Sequence, residues 1–149
     1  MYSCWVVLLI KLNIMKEQLL TTLENAKNYT LSVAAAMPRD AYDFKPADAI
    51  WTFNELLHHI GYGIYWWEEN FIKQKESDWN PPAITAGKDE TTAYLTGAFR
   101  ALKESIGNIA PGDNGIKGFY ATMDHITHHR GQATVYLRCK GITPPEYTY

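Results

Sequence analysis

Cysteine is scarce in this chain, with only Cys4 and Cys139. They form no C-x-x-C pair, which leaves no thiolate zinc site and no dithiol redox motif. Two isolated thiols suit a reducing compartment, so a cytoplasmic setting is expected. Basic blocks are also missing: 14 Lys and Arg stand against 16 Asp and Glu, for a formal charge of −2. Phosphate-driven binding of nucleic acid is therefore not expected. Long apolar runs are absent too. Trp5–Ile10 falls well short of the roughly 20 residues of a spanning helix. No basic region precedes it and no small-residue cleavage site follows. Nothing repeats, nothing is of low complexity, and no segment alternates in the manner of a strand.

What is present fits one globular domain. A chain of 149 residues buries a real core without disulfides or metal, so a metal ion would be free for function. Aromatics are plentiful, with five Trp and ten Tyr, as an aromatic core or an aromatic-lined pocket requires. Residues 1–14 read as a non-core extension from an upstream start. The bundle domain spans 15–149, opening at Met15-Lys-Glu-Gln. A short buried helix or strand is the alternative for the extension. A membrane tether ranks third, and a membrane is not an expected partner.

Periodicity predicts four helices. The first spans about Lys16 to Met37, with Leu19, Leu20, Leu23, Ala26, Tyr29, Thr30 and Val33 on one face, and Pro38 ends it. The second starts at a capping box, Thr52-Phe-Asn-Glu55, and runs to about Lys75. Its stripe is Phe53, Leu56, Leu57, Ile60, Ile64, Trp67 and Phe71. The third spans about Asp89 to Ile109, with Tyr94, Leu95, Phe99, Leu102 and Ile106 inward. The fourth runs from about Lys117 to Lys140 and stops at Gly141, a candidate C′ glycine. Between the second and third lies a long connection, Glu76 to Lys88, marked by Asn80-Pro81-Pro82 and Gly87. The expected fold is all-α: a four-helix bundle with a long crossover between the second and third helices.

The five histidines fall in two clusters, His58-His59 and His125-Ile-Thr-His128-His129. Residues four apart share a helix face, so His125 and His129 can hold one ion between them. Taking about 100° per residue, Phe119, Met123, Ile126, Ala133 and Leu137 define the core face of the last helix. His125, His129, Gln132 and Tyr136 form a second stripe beside it, and His128 points away. On the second helix His59 sits at the edge of the core stripe and His58 farther out, so His59 is the better third ligand. Tyr62 and Trp66 share that edge and can wall a pocket. Glu55, one turn before His59, is a candidate acceptor for an imidazole N–H.

Plainer readings stand beside these. Glu55 reads as a helix cap ahead of a catalytic carboxylate, while Gln132 serves equally to orient a ligand or to cap a backbone group. Arg130 reads as half of a buried ion pair. Gly131 costs a helix about 1 kcal/mol relative to alanine, which a close helix approach would justify. Cys139 reads as an inert, partly buried thiol.

Trp51-Thr-Phe-Asn-Glu-Leu-Leu-His-His59-Ile60, His125-Ile-Thr-His-His129-Arg-Gly-Gln132, Tyr136-Leu-Arg138 and Gly141-Ile-Thr-Pro-Pro145 together resemble the DinB/YfiT-like superfamily of small bacterial metalloproteins. The resemblance spans about Met15 to Tyr149. It implies a four-helix bundle with a long crossover and a divalent ion, zinc or nickel, on His59, His125 and His129. It also implies a thiol-dependent transferase or isomerase and a homodimer. His58 and His128 are extra histidines outside the pattern.

The enzyme hypothesis takes a low-molecular-weight thiol and a small-molecule electrophile, because no cysteine of the chain lies in the metal motif. A metal-dependent hydrolase is a neighbouring reading, but it needs a carboxylate base in the pocket. The competing class is a non-catalytic bundle that binds metal, ligand or a partner protein. In a purely structural reading the histidines hold no metal.

Overall fold

Breakers and caps divide the chain where its periodicity changes. The computed structural model describes residues 4–84, 87–109 and 114–147. Four helices make the architecture: α1 Cys4–Ala36, α2 Phe53–Trp67, α3 Lys88–Gly107 and α4 Asn114–Cys139. Among the described residues there is no strand. The molecule is an all-α four-helix bundle. Helices α1 and α2 each pack against both α3 and α4, which places α1 and α2 on one diagonal. A long connection therefore joins α1 to α2, and another long connection joins the neighbouring α2 and α3. Among the described residues, no helix is long and apolar enough to cross a membrane.

The core is where the 3.6-residue pattern places it. Leu19, Leu23, Tyr29 and Val33 of α1 meet Leu95, Phe99, Leu102 and Ile106 of α3 and Phe119, Ile126 and Leu137 of α4, all buried. Phe53, Leu56, Leu57, Ile60 and Ile64 of α2 complete it. Leu20 and Ala26 are only partly buried, at the margin.

The start of α2 is held firmly, which matters because the candidate site begins there. Thr52 Oγ1 accepts from Glu55 N at 3.1 Å, and Thr52 N donates to Glu55 Oε2 at 2.6 Å. This reciprocal pair satisfies two amides that the first turn leaves orphaned. The preceding loop is tied down by Phe53 N to Phe44 O and Asn54 N to Tyr42 O, at 2.9 and 2.8 Å.

Three boundaries differ from expectation. Helix α1 begins at Cys4 rather than near Lys16. No breaker separates Ile10 from Met15, so the helical ladder continues through them, and Val6 to Ile10 lie exposed. Helix α2 widens into a π turn at Glu68–Ile72. An i→i+5 bond admits one extra residue per turn, so the later side chains rotate. Phe71, expected inward, is exposed, while Glu68 and Ile72 are buried instead. Trp67 is half-buried. Helix α4 begins at Asn114, three residues before the expected start. Its other end matches the reading of Gly141. That residue has φ +72°, Gly141 N donates to Arg138 O, and Ile142 N donates to Leu137 O, both at 2.9 Å. This is the Schellman arrangement.

Candidate metal centre

Helices α2 and α4 bring three imidazoles together. His59 Nε2 lies 3.1 Å from His129 Nε2 and 3.1 Å from His125 Nε2. The three candidate ligand atoms all fall within 4.8 Å of one another. A tetrahedral ion with Zn–N near 2.05 Å holds its nitrogens about 3.3 Å apart, so the spacing suits one cation. His129 Nδ1 lies 2.9 Å from Gln132 Oε1, and an amide oxygen only accepts. His129 therefore carries its proton on Nδ1 and aims a bare Nε2 lone pair at its neighbours. A cation among the three nitrogens would take all three lone pairs at once, so the triad can hold a metal ion.

All three rings are held neutral, as ligation requires. Burial, reinforced by His129 and His59, pushes His125 down to about 3. Burial, reinforced by His129 and His58, pushes His59 down to about 4. His129 is lowered by burial, and its bond to Gln132 opposes the shift.

The site exists because Gly63 has no side chain. A Cβ on Gly63 would stand 2.0 Å from His125 Cε1 and 2.6 Å from its Nε2. The His125 ring lies in the groove that this glycine leaves on α2. Its Nδ1 is buried without a hydrogen-bond partner, a departure from the usual ligand histidine, whose second nitrogen donates to an acceptor.

The remaining predicted residues take varied places. Gln132 bridges two histidines, with Oε1 on His129 and Nε2 at 3.1 Å from His128 Nε2. His128 is exposed and outside the triad. Tyr136 is buried and donates its hydroxyl to Trp51 O at 2.7 Å, holding the loop before α2. Glu55 faces the same cavity as His59, and the capping bond to Thr52 N occupies its Oε2. The bond that orients an imidazole comes from Gln132, not from Glu55. Tyr62 and Trp66 sit one step behind the wall they were expected to form. Tyr62 Oη accepts from Asn80 N at 2.7 Å, and Trp66 Nε1 donates to Ser77 O at 3.1 Å. Both anchor the crossover, and both rings pack on Trp79, at 4.7 and 5.5 Å.

The wall itself is Trp51 and Trp79, which periodicity missed. Their rings lie 4.6 and 5.4 Å from that of His59. With Pro82, Ile84 and Glu55 they line a cavity of about 380 Å³ beside the triad. Trp51 had a signal, because it immediately precedes a helix cap on the same edge as His59. Trp79 stands in an aperiodic loop and had none.

Four further expectations are corrected. His58 is buried rather than turned outward, stacked on Tyr94 at 4.7 Å with an interplanar angle of 8°. Gly61 makes that fit possible, since a Cβ there would lie 2.9 Å from the Tyr94 ring. Gly131 meets nothing within 4 Å, so no close helix approach accounts for it. Cys139 is exposed, not partly buried. Arg130 is buried, but among the described residues it meets a backbone carbonyl and two aromatic rings rather than a carboxylate.

The sequence profile of the DinB family matches residues 120–149, the stretch that carries His125 and His129. The fold resembles a DinB-like protein from Bacillus subtilis, with a TM-score of 0.70 and 18% identity over 88% of this chain and 98% of that one. It also resembles a DinB-like protein from Bacillus cereus, with a TM-score of 0.72 and 17% identity over 89% and 97%. No functionally curated protein matches the chain. The profile match is confined to the last helix and the tail, and the likeness to the two solved structures is one of fold.

Proposed function

We propose that this DinB-like chain is a metalloenzyme that joins a low-molecular-weight thiol to a small electrophile. The ion is divalent, zinc or nickel, on His59, His125 and His129. The observation that carries the reading is the convergence of three neutral imidazoles, with His59 Nε2 3.1 Å from each of the other two Nε2 atoms, beside an aromatic cavity. Three imidazoles suit both ions and leave a coordination position open. When bound, such an ion stabilises a thiol in its deprotonated, nucleophilic form.

The chain's own residues supply the rest. Gln132 fixes the tautomer of His129 and hence the direction of its lone pair. Tyr136, through Trp51 O, and Tyr62 and Trp66, through the crossover, hold the two indoles that flank His59. Those indoles exclude water from one side of the triad and give an apolar electrophile a surface to lie against. In the reaction the thiol proton leaves to solvent, a carbon–sulfur bond forms, and the leaving group departs with its electron pair. Cys139 is not placed to be that nucleophile, since it is exposed on the last turn of α4. Hydrolysis is the weaker alternative because Glu55, the one carboxylate lining the cavity among the described residues, is engaged as a helix cap. A homodimer and a cytoplasmic setting complete the proposal.

A transfer panel tests it. Bacillithiol, mycothiol, glutathione and coenzyme A are each offered with a chromogenic electrophile to zinc- and nickel-loaded protein. At least one thiol is expected to be consumed at a rate that His129→Ala abolishes. Metal-loaded protein that consumes none of them, and whose cobalt-substituted spectrum no thiol perturbs, would favour a non-catalytic binding module.

A further inference from the structure

The cavity beside the triad carries an electrostatic bias of its own. Glu55, His58 and His59 line it, together with Trp51, Trp79 and a proline-rich stretch of the crossover. Every Lys and Arg of the chain lies among the described residues, and none lines this cavity. Among the described residues, Glu55 is its one acidic group.

The helix cap occupies only half of that carboxylate. Thr52 N donates to Oε2, while Oε1 takes part in no hydrogen bond among the described residues. His58 follows one turn later on the same side of α2. Its ring stacks on Tyr94, and among the described residues its nitrogens have no hydrogen-bond partner. An imidazole offers a lone pair on whichever nitrogen lacks the proton. Trp51 and Trp79 are 47% and 45% exposed, so the core does not consume them, and apolar side chains gathered at one cavity make a ligand surface. Indole is also the aromatic group that attracts cations most strongly.

These groups favour one kind of occupant. An anion would meet a carboxylate with no Lys or Arg to hold it. A neutral ligand would forgo the charge. A primary ammonium group gives Oε1 a charge-assisted hydrogen bond and has further N–H bonds for His58. We propose that the tryptophan cavity binds a primary ammonium group carried by a substrate, with Glu55 and His58 accepting its N–H bonds and Trp51 and Trp79 holding its carbon body. This rests on the transferase reading only in making the amine part of a substrate. The binding itself needs no metal, and an ion on the triad would add like charge nearby, so metal-free protein is the form to test.

The test is calorimetric titration of metal-free protein with phenethylamine and with phenethyl alcohol, in which a hydroxyl replaces the ammonium. The amine should bind saturably, with a dissociation constant on the order of 1 mM or tighter, and at least about tenfold more tightly than the alcohol. Glu55→Gln removes the charge but keeps the cap, because glutamine also serves at that position of a capping box. It should weaken amine binding at least about tenfold and leave alcohol binding unchanged. Trp79→Leu, in an exposed stretch of the crossover, should weaken both. Absence of saturable amine binding to the wild type would overturn the proposal, as would alcohol binding as tight as the amine, or amine binding that Glu55→Gln leaves unchanged. Where the transfer panel gives turnover, phenethylamine should raise the KM of the thiol or of the electrophile, whichever carries the amine. No effect on either KM would overturn the assignment to a substrate. A panel without turnover, beside saturable amine binding, would count against the transferase reading and leave the ammonium site standing.

Discussion

Gly63 governs the candidate centre as directly as any ligand does. Gly63→Ala puts a methyl group into the space of the His125 ring. The ring must move, and an imidazole displaced by an ångström no longer points its lone pair at a shared ion. The expected outcome is retained helical circular dichroism with metal affinity lowered at least as far as in Gln132→Leu. For Gln132→Leu itself, which removes the acceptor of His129 Nδ1–H, the expected fall is about 10- to 100-fold. Competition against a chromogenic chelator measures both, with exposed His128→Ala as the neutral control. At this scale the sequence was partly legible. The spacing of His125 and His129 put both rings on one stripe, and the Thr52–Glu55 cap declared itself. Gly63 did not, because the clash it avoids is with a side chain 62 positions away in the chain, as Gly63 and His125 are numbered. Glu55 had two readings, helix cap and imidazole partner. The hydrogen bond to Thr52 N shows the first.

Among the helices, α4 carries most of the site and also a weakness. Gly131 occupies its interior, exposed and with nothing within 4 Å of a would-be Cβ. Gly131→Ala is therefore expected to stabilise the protein by up to about 1 kcal/mol. Gly141 behaves oppositely, because its φ of +72° is a conformation that side chains resist. Gly141→Ala is expected to destabilise by roughly 1–2 kcal/mol. Urea midpoints at unchanged slope separate the two directions. Two glycines ten residues apart, one inside α4 and one just past its end, thus act in opposite directions, as the backbone angle and the neighbouring space show. Helix α2 teaches the same lesson. Its stripe was readable as far as Ile64, where each turn holds 3.6 residues. Past Trp67 the π turn changes the period, so Phe71 swings outward and Glu68 inward. A hydrophobic pattern cannot announce a change in the ruler used to read it. Near the start of α1, the apolar run suggested something other than bundle, but nothing in it breaks a helix, and the helix continues through it.

In the whole molecule, the three depressed imidazoles couple the site to folding. Unfolded histidines titrate near about 6.5, whereas folded His125 and His59 titrate at about 3 and about 4. Above pH 6.5 both states are neutral at these rings, and the folded state keeps its full stability. As the pH falls below that value the unfolded chain takes up protons that the folded chain refuses, so unfolding gains ground until the folded values are reached. Metal-free protein is thus expected to lose thermal stability steadily from about pH 6.5 to pH 4. Replacing His125 with phenylalanine should flatten part of that slope, and a wild-type melting temperature that is level over this range would contradict the account. The bundle was legible from its breakers and stripes. The aromatic wall was only half legible, because Trp79 reaches the site from a crossover without period. The most direct measurement is elemental analysis of protein purified without a histidine tag, followed by reconstitution with zinc or nickel. The account predicts about one ion per chain, as for a single three-histidine centre, lost in His59→Ala, His125→Ala and His129→Ala and kept in His128→Ala. Less than about a tenth of an ion per chain, with no uptake on reconstitution, would contradict it, since a converging triad of neutral imidazoles should retain a divalent ion.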